Sequence, residues 1–192
     1  MSTIAIAQPR RLPGVPGVWV FVGADLMFFG LFFISFMYER SKDVALFERS
    51  RHALDIDFGG INTLILLTSS WFVVMALQAA RRDRLQHAAT LLAMAIGCGI
   101  TFGVLKVIEY SGKLSAGISM LTNDFYMFYF ILTGIHFGHV IGGTVVLMIL
   151  FNKTRGGDYG SHNMVGLESG ATYWHMVDLL WIFLFPLLYL VR

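Results

Sequence analysis

The chain reads as an all-α integral membrane protein, a single transmembrane domain (residues 1–192) built as a five-helix bundle, and three observations predict it. Hydrophobic residues make up 56% and aromatic residues 15% of the 192 residues, and the mean hydropathy is positive, which is more apolar than a water-soluble domain of this length. Charged residues are 14% of the total and gather in short stretches between long apolar runs, as loops between spans do. Five of those runs reach the roughly 20 residues that cross about 30 Å of hydrocarbon as a helix. An open strand there would leave its backbone unpaired in lipid.

The spans are expected at 18–37, 61–80, 88–108, 125–151 and 171–191. A segment of mixed charge (38–60), a short basic turn (81–87), a Gly/Ser/Asn linker (111–124) and a Gly-rich loop (152–170) connect them. No repeat and no separate water-soluble domain is visible. The first 16 residues carry Arg10 and Arg11 but no apolar stretch leading to a small-residue cleavage site, so the first span is expected to serve as the insertion signal. A cytoplasmic N-terminus gives that side Arg10, Arg11, Arg81, Arg82, Arg84, Lys153 and Arg155, against Arg40, Lys42, Arg49, Arg51, Lys113 and Arg192 on the other. The outer positives are interleaved with acids, whereas the turn after the second span is compactly basic, so the expectation is N-terminus in the cytoplasm and C-terminus in the periplasm of a bacterial inner membrane.

A net charge of +2 spread over the loops excludes nucleic-acid binding and a polybasic recruitment tail. Cys98, the sole cysteine, sits in an apolar run; it offers no disulfide, no paired-thiol metal site and no covalent haem attachment, and is expected in packing.

Ionisable groups inside spans are expensive and usually paired or functional. At 1.5 Å per residue, Asp25, His136, His139, His175 and Asp178 fall about 12, 14, 9, 6 and 10 Å from the inner face, a shared polar layer. His136 and His139 stand i, i+3 on one helix face, as do His175 and Asp178. Three readings fit. The layer is a set of interhelical hydrogen bonds that locks the bundle; or two imidazoles clamp a b-type haem, against which the crowding by Phe128, Phe130, Phe137, Trp174 and Trp181 weighs; or Asp25 belongs to a proton relay of an independent transporter, against which the lack of a continuous polar chain weighs. Lys106 and Glu109, also i, i+3, lie about 27 Å or more from the inner face and are expected to form a local pair that snorkels to water.

Gly134, Gly138 and Gly142 repeat every fourth residue, a small-residue stripe for close docking within the bundle or to a partner. The Phe28, Phe29, Phe32, Phe33 and Phe36 cluster of the first span is expected to face lipid. In the last span Trp174, Asp178, Trp181 and Phe185 share a stripe, expected at a protein or lipid interface, and Pro186 predicts a bend near the outer end.

Five segments also carry a family resemblance. Glu-Ser-Gly-Ala-Thr-Tyr-Trp-His-Met-Val-Asp-Leu-Leu-Trp at 168–181 resembles the signature of subunit III of the haem-copper oxidases. Gly-Ile-His-Phe-Gly-His-Val-Ile-Gly-Gly at 134–143 resembles that family's Gly-x-His-x-x-His-Val-x-x-Gly helix, and the Asn62-Thr63 segment at 61–69 its Asn-Thr-x-x-Leu-Leu-x-Ser helix. Residues 102–110, ending in Glu109-Tyr110, resemble Phe-x-x-x-Gln-x-x-Glu-Tyr, and 19–29 resemble Trp-x-Phe-x-x-Ser-Glu-x-x-Phe-Phe. Asp25 stands where the family has Glu, preceded by Ala24, and Lys106 stands where it has Gln. With five spans the chain is similar to short bacterial members that serve cytochrome c or quinol oxidases or accompany nitric oxide reductase; the Gly-Ala-Asp variation and short N-terminus incline toward the last.

The resemblance implies a non-catalytic subunit that binds phospholipid in a cleft and supports a catalytic partner. Haem and copper or iron would belong to that partner, with no metal or cofactor on this chain. It also implies a structural polar network of Asp25, His136, His139, Glu168, His175 and Asp178, with Asn62, Lys106 and Glu109 as secondary members.

Overall fold

The computed structural model describes residues 13–191; the charge assignments to Arg10, Arg11 and Arg192 lie outside them. Helix α1 (Pro16–Lys42) opens with proline at its first position, where the missing N–H would have no partner anyway. A short α2 (Val44–Arg51) follows, capped by Asp43, which accepts from Leu46 N at 3.0 Å. Then come α3 (Ile56–Arg81), capped by Asp55 on Phe58 N at 3.1 Å, and α4 (Leu85–Ser115), which has no side-chain cap. Helix α5 (Asp124–Gly156) is capped by Asn123 on Tyr126 N and ended by Gly157 at φ 85°, the left-handed stop that glycine adopts without a Cβ clash.

Helix α6 (Val165–Phe185) runs into a π-helical turn over Pro186–Leu190. Pro186 has no N–H to donate back along the helix, and Val191 N instead reaches Pro186 O at 2.9 Å, a five-residue closure. The bend predicted at Pro186 is thus a widened turn. Among the described residues five helices are long and apolar enough to cross a membrane: α1, α3, α4, α5, and α6 with its π turn. Each extends past the span expected for it, because the helical backbone continues into the polar flanks, and α2 occupies a segment expected to be a loop.

Helices α3, α4, α5 and α6 pack as a four-membered ring, with α3 against α4 and α6, and α5 against α4 and α6; α1 lies outside, against α5 and α6. Ser69 Oγ donates to Ala95 O at 2.9 Å and ties α3 to α4. In lipid, apolar burial drives no association between helices, so close packing and such polar contacts must hold them together.

Three packing expectations are corrected. The phenylalanines of α1 do not all face lipid: Phe29 and Phe36 are 1% exposed, and Phe36 meets the edges of Phe47, Phe125 and Phe128 at 5.3–6.3 Å. Trp174, Asp178 and Trp181 of α6 point into the core, because α6 has ring partners on two sides. The close approaches inside the bundle fall beside the predicted glycine stripe, not on it. A Cβ on Gly138 would meet nothing within 4 Å, on Gly134 only the Tyr110 hydroxyl at 3.9 Å, and on Gly142 the Tyr173 hydroxyl at 3.4 Å. On Gly143 it would sit 2.7 Å from the Trp174 ring, and on Gly99 2.8 Å from Thr144 Oγ1. The large indole of Trp174 needs the bare backbone at these two positions, whereas on the stripe Gly138 faces open space.

Candidate functional site

The polar residues predicted to form one network are distributed over four contacts. In the first, α1 meets α5: His139 Nε2 lies 3.2 Å from Asp25 Oδ1. The other ring nitrogen, Nδ1, lies 2.8 Å from Ile135 O. A carbonyl only accepts, so Nδ1 carries a proton. Nε2 thus faces the Asp25 carboxyl at salt-bridge distance, so each of the two polar groups answers the other inside the bilayer. Phe29 covers the imidazole edge at 5.9 Å, and the Tyr173 hydroxyl from α6 donates to His139 O at 3.4 Å.

The second contact lies at the end of the bundle where α1 and α6 begin. Glu168 accepts from Arg81 Nη2 at 2.9 Å and from Gly14 N at 3.3 Å, and Ser169 Oγ accepts from Val15 N at 2.9 Å. The start of α1 is thereby fastened to the start of α6 and the end of α3. In the third, between α3 and α6, His175 Nδ1 is 3.2 Å from Ser70 Oγ, and Asp178 is buried with Oδ1 unpartnered.

The fourth contact sets His136 apart from His139. Its ring is fully buried, stacked on Trp181 at 5.1 Å and edge-on to Phe102 at 5.8 Å, with neither nitrogen hydrogen-bonded to protein. The imidazoles of His136, His139 and His175 face an indole, a carboxyl and a hydroxyl respectively. Among the described residues no group of three or more His, Cys, Asp or Glu side chains converges as a metal site would require.

A further network forms around Lys106, where the expectation of a snorkelling pair is corrected. Lys106 is 0% exposed. Its ammonium donates to Glu109 Oε2 at 2.8 Å and to the Tyr189 hydroxyl at 3.3 Å, and lies 4.8 Å from the Trp181 ring centre. Glu109 Oε1 accepts from Tyr129 at 2.6 Å and Tyr189 at 2.7 Å. The pair cannot reach water because the π turn folds Tyr189 over it; Arg51 holds that turn in place by donating to Tyr189 O at 3.2 Å. Tyr129, Tyr189 and Trp181 were not singled out as members of this group. The signal available was their depth, since each lies within a few turns of the same helix ends as Lys106. Asn62, also fully buried, leaves both side-chain polar atoms unpartnered.

The fold and these contacts define a class: a multi-pass membrane subunit whose buried polar groups join helices to one another. Comparison with known proteins makes the class specific. The family model for cytochrome c oxidase subunit III matches residues 14–191. A probable cytochrome c oxidase subunit 3 of Rickettsia conorii is 33% identical over 91% of this chain and 66% of its own length. A cytochrome c oxidase subunit 3 of Thermostichus vulcanus is 29% identical over 99% of this chain and 94% of its own. A heme-copper oxidase subunit I+III of Aeropyrum pernix is 28% identical over 91% of this chain and 22% of its own. The chain thus spans about two thirds of the length of the rickettsial relative and nearly all of the Thermostichus one. It belongs to the cytochrome c oxidase subunit III family.

Proposed function

We propose that the chain is the non-catalytic subunit III of a haem-copper oxidoreductase in a bacterial inner membrane. It braces a catalytic subunit that carries the haem and metal and binds none itself. The observation that carries the reading is the extent of the family match, which runs through all five spans. The Aeropyrum relative, whose name joins subunits I and III, supports a catalytic partner of the subunit I type. The relatives named as cytochrome c oxidase subunits favour an oxygen-reducing partner over the nitric-oxide-reducing one suggested by Gly23-Ala24-Asp25.

In this reading Asp25, His139 and Glu168 act as positioning residues that hold α1 on the ring, while His136, His175 and Asp178 hold the ring together. An apolar cavity of about 460 Å³ lies among α1, α5 and α6, lined by Val18, Phe21, Val146, Gly170 and Tyr173. It suits a phospholipid acyl chain. The test is purification of the tagged chain from native membranes in mild detergent, with mass spectrometry of what accompanies it. A haem-copper subunit I should co-purify, and Asp25→Ala should reduce its recovery or shorten the life of the complex during turnover while leaving the haem spectrum intact. Absence of any stoichiometric partner would return the chain to the transporter reading, and loss of haem from the chain itself would make it an electron carrier.

A further inference from the structure

Two buried phenols share one carboxylate beside the π turn. Tyr129 and Tyr189, both 0% exposed, donate to Glu109 Oε1 at 2.6 and 2.7 Å, the short range of an O–H bond to a carboxylate. No other phenol among the described residues hydrogen-bonds to a carboxylate. Tyr126 donates to Ser50 O and Tyr173 to His139 O, each at 3.4 Å. Tyr110 meets Thr133 Oγ1, whose own proton goes to Tyr129 O, so Tyr110 is the donor there. The bracing role proposed above uses neither Tyr129 nor Tyr189.

A phenol gives up an electron far more readily when its proton leaves at the same time, because the alternative is a radical cation, costly in a medium without water. An electron tunnels through packed protein, whereas a proton moves only to an acceptor within hydrogen-bond reach. Glu109 Oε1 is such an acceptor. The peptide carbonyls and the threonine hydroxyl that face Tyr126, Tyr173 and Tyr110 are far weaker bases. Within the pair, Tyr189 is held back, since its oxygen also accepts from Lys106 Nζ at 3.3 Å. No ammonium among the described residues donates to the Tyr129 oxygen. Lys106 and Lys113 lie 5.5 and 5.4 Å from the Tyr129 ring centre and oppose the loss of an electron, so only a strong oxidant can draw one.

We propose that Tyr129 is a one-electron donor, with Glu109 as its proton acceptor, toward strong oxidants of the class that oxygen reduction sets free, the partly reduced oxygen species. In the step the oxidant gains one electron, the Tyr129 O–H bond breaks, a new O–H bond forms at Glu109 Oε1, and a neutral phenoxyl remains. The cluster ends one positive charge higher. That charge is the Lys106 ammonium, which faces the rings of Trp181, Tyr110 and Tyr189 at 4.8–5.8 Å and is attracted by them. The choice of oxidant rests on the oxygen-reducing partner proposed above; the donor itself rests on the geometry of Tyr129 and Glu109.

The experiment uses the full chain, with whatever complex accompanies it, in nanodiscs whose aqueous phase holds tris(bipyridine)ruthenium(III) made by a laser flash. Freeze-quench electron paramagnetic resonance reads the phenoxyl, and infrared difference spectroscopy with carbon-13 glutamate reads protonation of a glutamate. The expected result is a phenoxyl that appears together with a label-sensitive carboxylic acid band. The exposed Tyr38 can be oxidised too, but its proton goes to water and yields no such band. Tyr129→Phe, in which Tyr189 still bonds Glu109, should abolish the band, whereas Tyr189→Phe and Tyr110→Phe should keep it. Absence of the band in the parent chain overturns the proposal, as does a band that survives Tyr129→Phe. The flash needs no catalytic partner, so it tests the donor alone. If it succeeds while hydrogen peroxide added to the complex raises no band, the oxygen-derived oxidant is refuted and the donor role of Tyr129 stands.

Discussion

At Lys106, one ammonium is surrounded by a carboxylate, a phenol and an indole face. A buried pair gains little over an apolar replacement of both members, but removing one partner strands the other. Lys106→Met should therefore lower stability by about 3–5 kcal/mol, read as an earlier thermal transition in detergent. Lys106→Gln should cost less, because an amide can still donate to Glu109. Lys106→Met with Glu109→Leu should recover most of the loss. If the double variant is no better than the single one, the network is not a closed charge pair. The i, i+3 spacing made this pair legible in the sequence, but its burial was not: that depends on the π turn at Pro186–Leu190, whose backbone register no side-chain pattern reveals.

Among elements, the five spans were legible because each is a long run of apolar residues, and lipid admits few other backbone conformations. Which face of each span meets which neighbour was not. Depth arithmetic put His136 and His139 in one layer, yet i and i+3 on a helix differ enough in direction that His139 meets α1 while His136 faces Phe102 and Trp181. Small-residue spacing likewise marked Gly134, Gly138 and Gly142, whereas the indole of Trp174 sits against Gly143 and Gly99. A variant pair tests the distinction. Gly143→Ala pushes a methyl into Trp174 and should destabilise the chain by about 1–3 kcal/mol, the usual penalty of overpacking. Gly138→Ala should leave the thermal transition unchanged. Equal losses in both would contradict the ring geometry.

Across the whole molecule, loops tie helix pairs together outside the membrane. Asp83, in the turn between α3 and α4, adopts φ 54° and accepts from Ser161 N, in the α5–α6 loop, at 2.7 Å. That hydrogen bond, to the ionised form, holds the Asp83 carboxyl below its ordinary range. A carboxyl with a depressed folded-state pKa contributes stability above its unfolded value and loses it as pH falls through the folded one. The latch should stay closed at neutral pH and open only below pH ~4. Hydrogen exchange should show the Ser161 amide protected at pH 7 and released in acid, while Asp83→Asn should show weaker protection that no longer follows the carboxyl titration. Protection that is independent of pH in the parent chain would refute the latch.

The peripheral seat of α1 also bears on how the chain is made. Ribosomes deliver α1 to the membrane before α5 and α6, the helices that receive it. Until His139 is synthesised, Asp25 must wait in the bilayer with no imidazole beside it, a costly arrangement for an ionisable side chain. Docking of α1 then waits for the synthesis of α5, and a chain truncated before α5 would carry an unanswered carboxyl in lipid, a mark by which membrane quality control can tell an unfinished bundle from a folded one.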